Sequence, residues 1–162
     1  MYTTTIIGHR DVDDTPELRG AIRIVLENIL KSHHAVDILF GSGSGFDRVC
    51  LSVAVELVET YPETRRVYVR AEYREYLLQS YDDTFFPEEL RSAGRARYVE
   101  RNRIMIDMSD SCVFYYRGES TVADRAGRKR KSDTALAWDY AVKRKKDIYN
   151  VSEIMCPENF LK

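Results

Sequence analysis

Two kinds of segment alternate along this chain, and that alternation constrains its fold more than any other feature. "TTTIIG" (3–8), "AVDILFG" (35–41), "RRVYVRA" (65–71), "SCVFYY" (111–116) and "DIYNV" (147–151) are short, apolar and β-branched or aromatic, as strands are. Between them lie segments of helical period. In "PELRGAIRIVLENILKS", Leu18, Ile22, Val25, Leu26, Ile29 and Leu30 recur on one face, with Thr15 placed to cap and Pro16 to open the helix. In "FDRVCLSVAVELVETYP", Cys50, Val53, Ala54, Leu57 and Val58 share a face, and Pro62 lies beyond. "RARYVERNRIMIDMSD" (95–110) and "DTALAWDYAVKRKK" (133–146) complete the set. Such an order predicts an α/β fold: a Rossmann-like, doubly wound, mostly parallel five-stranded sheet with helices on both faces. Its length, 162 residues, suits one domain over 1–162. Residues 72–94 show no clean period and are expected to be an irregular connection with short helical pieces. Residues 117–133 are polar and basic and are expected to be a loop.

Several function classes are disfavoured by composition. The net charge is −1, so no global field draws the chain to nucleic acid or anionic membrane, and nucleic acid is not expected as a partner. No apolar run approaches the roughly 20 residues that span a bilayer, so no membrane partner is expected. "MYTTTIIGHRD" lacks a basic leader region and reads as a strand, which makes the cytoplasm the expected location. Cys50, Cys112 and Cys156 are too scattered for a disulfide framework or zinc site. Neither metal nor cofactor is implied, and the first two read as small core residues.

In an open α/β sheet, ligands bind beyond the carboxyl ends of the strands, where the strand order reverses. Four segments around that end are candidates. Gly8, His9 and Arg10 follow the first strand. Gly41, Ser42, Gly43, Ser44, Gly45, Phe46 and Asp47 follow the second and run into a helix. This second loop is either a tight turn or an anion cradle, since glycines permit positive φ and close approach, and N–H groups at a helix start attract anions. It is not a Walker A loop, because no Gly-Lys-Ser/Thr follows. Asp47 can cap the helix or accept bonds from ribose hydroxyls. On the helix before the fourth strand, Arg101 and Asn102 stand out, since an unpaired amide near an apolar face is costly. Ser132, Asp133 and Thr134 follow the basic segment, as caps or as a phosphate contact.

Together these pieces resemble the SLOG superfamily, the Rossmann-like group joining the LOG phosphoribohydrolases, the DprA/Smf proteins and the YpsA-like proteins. The YpsA-like branch (DUF1273-like) is the most similar, through "IIGHR", "GSGSGFD", "ERNRIMIDMSD" and the turn and helix "SDTALAWDYA". The resemblance spans roughly residues 3–150 and implies a nucleotide-related ligand over the glycine-rich loop. In the LOG branch, an arginine and a glutamate serve N-glycosidic cleavage of nucleoside monophosphates. The arginine matches Arg101. The glutamate has no counterpart, since Ala135, Leu136 and Ala137 follow Thr134, and Ser132 and Asp133 replace two glycines.

The expected function is therefore binding, by sensing or sequestration, of a nucleotide-like small molecule. An alternative is a nucleotide N-glycosidase, with Arg101 and either Asp47 or Glu119 as catalytic residues. A second alternative is DprA-like binding of single strands, suggested by "RAGRKRK" (125–131) and "KRKK" (143–146) near "YY". The resemblance also implies a homodimer or higher homo-oligomer, for which Tyr73, Tyr76, Tyr81, Phe85 and Phe86 offer an aromatic surface.

Overall fold

A computed structural model describes residues 1–73, 79–118, 121–123 and 125–155. Its central sheet contains β1 (Tyr2–Gly8), β2 (Val36–Phe40), β3 (Thr64–Val69), β4 (Asp83–Phe85), β5 (Ser111–Tyr115) and β8 (Asp147–Asn150), in the order β4-β3-β2-β1-β5-β8. Every pairing in it is parallel. The helices are α1 (Pro16–Ser32), α2 (Gly45–Leu57), α3 (Arg97–Met108), α4 (Asp133–Lys143) and the short α5 (Val151–Ile154).

The sheet thus has six strands, where the sequence suggests five. The extra strand, β4, lies in the segment expected to be irregular. Its three residues pair with Val67, Tyr68 and Val69, and the Thr84 hydroxyl donates to the Tyr68 carbonyl at 2.8 Å. Three residues are too few to show a period, so tertiary pairing alone creates this strand. Residues Glu88–Ser92 and Gly94–Ala96 form the expected short helical pieces, as 3₁₀ turns. The basic segment is not a plain loop. Thr121–Ala123 (β6) and Lys129–Lys131 (β7) pair antiparallel as a hairpin. The lysines and arginines of β7 gave no apolar alternation to reveal it.

Successive strand residues feed opposite faces, as the pleat requires. Ile6, Ile38, Phe40 and Val113 pack into the core under α1 and α2. Ile7, Cys112 and Phe114 meet Ile106 of α3 and Ala137 and Ala141 of α4, while Leu39, Val67 and Val69 meet Met105. Both Cys50 and Cys112 are buried, and burial pushes the Cys112 thiol up to about 12. Cys156 lies outside the described residues. Helix starts follow the sequence signals: Thr15 accepts from the Leu18 N–H at 3.1 Å, Ser44 from Asp47 at 3.1 Å and Ser132 from Ala135 at 3.0 Å. No helix among the described residues is long and apolar enough to cross a membrane.

Strand order sets the location of the site. The chain steps outward from β1 through β2 and β3 to β4, then returns through α3 to β5 on the other side of β1. The connections on either side therefore diverge at the carboxyl ends of β1 and β5. An α/β sheet opens a cleft at such a point.

Candidate functional site

A cleft of about 720 Å³ occupies that position. Gly8, His9, Arg10 and Asp11 come from the end of β1, and Gly41 to Ser44 from the end of β2. Tyr68 reaches it from β3, and Tyr98, Arg101 and Asn102 from α3. Arg117 follows β5, while Val122, Ala123 and Arg130 belong to the hairpin, and Ser132, Asp133 and Thr134 to the start of α4. All four segments singled out in the sequence thus converge on one cavity. Of the residues named in them, Gly45, Phe46 and Asp47 do not line it.

Close approach, rather than left-handed backbone, explains the glycines here. None of Gly8, Gly41, Gly43 or Gly45 has positive φ. An added Cβ at Gly8 would overlap the ring of Phe46, which is fully buried beneath β1. At Gly45 it would lie 2.7 Å from the Arg10 carbonyl oxygen, which accepts the Gly45 N–H at 2.9 Å and joins the two loops. At Gly41 it would stand 2.8 Å from Arg101 Nε. Gly43 faces open space.

Asp47 braces this loop from inside. It neither caps α2, a task taken by Ser44, nor turns to the cleft. Its carboxylate accepts the Ser42 N–H at 3.2 Å and the Ser44 hydroxyl at 2.8 Å. Burial raises its pKa to about 6, against the lowering effect of the Ser44 and Ser42 hydrogen bonds and of Arg101. The N–H groups of Ser42, Ser44, Gly45 and Asp47 are therefore already bonded within the protein. A free nest of successive donors, expected from the glycine pattern, is largely used up by the loop itself.

Anion attraction falls instead to the arginines. Arg101 is 6% exposed, and its Nη2 donates to Asn102 Oδ1 at 3.2 Å. Its Nε is buried with no hydrogen-bond partner. Among the described residues no carboxylate lies within 4.0 Å of the guanidinium. Burial lowers its pKa, opposed by the more distant charge of Asp47. A buried cation without a paired anion is costly, and proteins keep such groups where a ligand completes them. Tyr98 lies under this guanidinium, 5.7 Å from its ring centroid.

His9 turns inward. Its Nε2 accepts the Arg117 N–H at 3.2 Å, and its backbone N–H donates to the Tyr115 carbonyl at 3.3 Å, fixing the exit from β5 against that of β1. Asp133 accepts from Arg130 at 3.3 Å. Glu119 lies outside the described residues. On the cleft wall the described carboxylates are Asp11 and Asp133, against the arginines Arg10, Arg101, Arg117 and Arg130. No group of three His, Cys, Asp or Glu side chains among the described residues could hold a metal ion.

Arg117, Tyr68 and Tyr98 escaped selection from the sequence, and Arg130 was named only as part of the basic stretch "RAGRKRK". Tyr98 shares a helical face with Asn102, and Arg117 directly follows a strand, so both carried a signal. Tyr68 carried none, because only the folded β3 turns it to the cavity.

No known protein family and no curated protein matches the chain. Among solved structures it is similar to DNA processing protein A from Helicobacter pylori, described for its single-stranded DNA binding mode. Identity is 15%, 97% of this chain and 72% of that chain are covered, and the TM-score is 0.53. Likeness at this level shows the fold alone, a Rossmann-like α/β architecture, and gives no support to the YpsA-like branch. It also corrects the dismissal of nucleic acid as a partner, since a protein with a single-stranded DNA binding mode shares the architecture. Net charge misled because it averages the whole surface, whereas the cleft wall itself is cationic.

Proposed function

We propose that this cleft binds single-stranded nucleic acid, with a backbone phosphate drawn to Arg101 and bases resting on the tyrosines of the wall. The observation that carries the reading is the buried Arg101 guanidinium with an unpartnered Nε and no carboxylate beside it among the described residues. Arg10, Arg117 and Arg130 add positive charge, and Tyr68 and Tyr98 supply π-faces. Cations interleaved with aromatic rings are the pattern that grips single strands without reading sequence. The fold neighbour's single-stranded DNA binding mode supports the same reading.

Fluorescence anisotropy with labelled oligothymidylate tests it. Binding is expected to weaken steeply as salt rises from roughly 50 to 200 mM, as counterion release dictates. Arg101→Ala is expected to weaken it at least about tenfold, the loss of one charged hydrogen-bonding group. A folded wild-type protein that leaves the anisotropy unchanged at low salt refutes the proposal.

A second reading, a free nucleotide-derived ligand, is supported by the size of the cavity. About 720 Å³ falls within the range of small-molecule sites, roughly 300–1,000 Å³. Calorimetry with AMP and ADP-ribose separates the two. Heat with these ligands, and no anisotropy change with oligonucleotides, selects the small molecule.

A further inference from the structure

Asn102 is the part of the cleft that the proposed function leaves unused. It is 7% exposed, follows Arg101 on α3 and lines the same cavity. Its Oδ1 accepts from Arg101 Nη2 at 3.2 Å. A guanidinium carries donors only, so the atom that faces it is the amide oxygen. Asn102 Nδ2 is thereby left with two N–H donors, and no described residue accepts from them. Consecutive residues of a helix do not ordinarily face each other, so helical spacing alone does not produce this contact.

The charges of α3 sharpen the point. The helix holds two carboxylates, and each serves another cation. Glu100 takes Arg103 at 3.1 Å, while Asp107 takes Arg144 at 3.1 Å and the Tyr140 hydroxyl at 2.7 Å. Arg101 receives a neutral oxygen instead. An aspartate has the shape of an asparagine, and in this rotamer its carboxylate would stand within ion-pair distance of the guanidinium. The amide holds the arginine in place without neutralising it.

We propose that Asn102 is a neutral anchor for Arg101: it fixes the guanidinium through Oδ1, keeps that positive charge for a ligand phosphate, and offers Nδ2 to the same anion. The inference rests on the nucleic-acid reading above and adds to it the positioning residue that sets the charge of the receptor. A buried cation without an anion destabilises the fold, and an arriving phosphate offsets that cost. A carboxylate at position 102 would be that anion permanently. Residue 102 therefore decides between a stable internal ion pair and a binding site.

The test compares N102D and N102A with wild type in the full chain, by anisotropy with labelled oligothymidylate across a salt series and by urea titration. N102D is expected to raise the urea midpoint, because the unpaired cation gains a partner. It is expected to bind about ten- to hundredfold more weakly, the worth of one hydrogen bond to a charged group. Its log–log salt slope should be shallower by ~0.7, one phosphate contact fewer. N102A removes the anchor and leaves the charge, so it is expected to bind about three- to tenfold more weakly with the wild-type slope. An N102D variant with wild-type affinity and slope, or with a midpoint below that of N102A, overturns the anchor and leaves the nucleic-acid reading intact. Equal losses in both variants at an unchanged slope also overturn it, since position 102 would then act through shape alone. Wild type that binds no oligonucleotide overturns the nucleic-acid reading, and the urea midpoints then decide the anchor by themselves.

Discussion

Asp47 offers the sharpest quantitative consequence of the site. Its carboxylate is 2% exposed and titrates near 6, against 3.8 for an ordinary aspartate. Because the folded state holds the proton more tightly than the unfolded one, this group's contribution is complete below about pH 4 and is lost as pH rises through 6. At about 1.4 kcal/mol per pKa unit, ionised Asp47 costs the fold about 3 kcal/mol at neutral pH. Between pH 7 and pH 5 the same linkage returns about 1 kcal/mol. Urea titrations followed by the fluorescence of Trp138, the only tryptophan, measure this at a series of pH values. Asp47→Asn is the reference, since it removes the titration while keeping the shape. Subtracting the two curves cancels every other titrating group. The difference is expected to change by about 1 kcal/mol from pH 7 to pH 5, wild type gaining relative to the amide variant as the acid side is approached. Parallel curves, or a wild type that loses ground on acidification, refute the assignment of a desolvated carboxylate inside the loop. The same protonation removes a negative charge near Arg101, so oligonucleotide binding by wild type is expected to tighten on acidification more than that of the amide variant.

Three further outcomes test the neighbouring geometry. Gly45→Ala puts a Cβ 2.7 Å from the immobile Arg10 carbonyl oxygen and is expected to cost about 1–3 kcal/mol in urea titration, whereas Gly43→Ala, facing open space, should be neutral or stabilising by about 0.5 kcal/mol. Arg101→Met exchanges an unpaired buried cation for an apolar chain of similar length; stability is expected to hold or rise by about 1–3 kcal/mol while oligonucleotide binding drops, and a marked loss of stability would show that the guanidinium is structural. Cys50 and Cys112 should resist a thiol reagent in the native protein and react once urea unfolds it, as peptide mapping by mass spectrometry reads directly.

Five of the six sheet strands were legible because their β-branched runs need no tertiary context, and so was the end of the sheet where the cleft opens. β4 was not, since three residues carry no period and exist as a strand only through Tyr68 and its neighbours. The β6–β7 hairpin was hidden by its own lysines and arginines, which suit an exposed ribbon as well as a loop. Cleft-lining residues on the strand ends, such as Arg10 and Gly41, could be named because topology fixes where strand ends lie. The direction of the Asp47 side chain could not, because it depends on where Ser42 and Ser44 fall once the loop closes.

That closure changes what the glycines mean. A glycine-rich turn before a helix invites the inference that its N–H groups hold the ligand. Here Asp47, Ser44, Ser42 and the Arg10 carbonyl take most of those donors, so the loop is a scaffold rather than the chief receptor. What the missing side chains provide is space: Gly8 admits Phe46 beneath the floor, and Gly41 admits Arg101 above it. The buried guanidinium reaches the cleft only because position 41 has no Cβ, and Asp47, the carboxylate whose charge it feels, is occupied with the loop. Loop and arginine are thus two halves of one device. The loop backbone is largely satisfied internally, and beside it the Arg101 Nε stays buried without a hydrogen-bond partner.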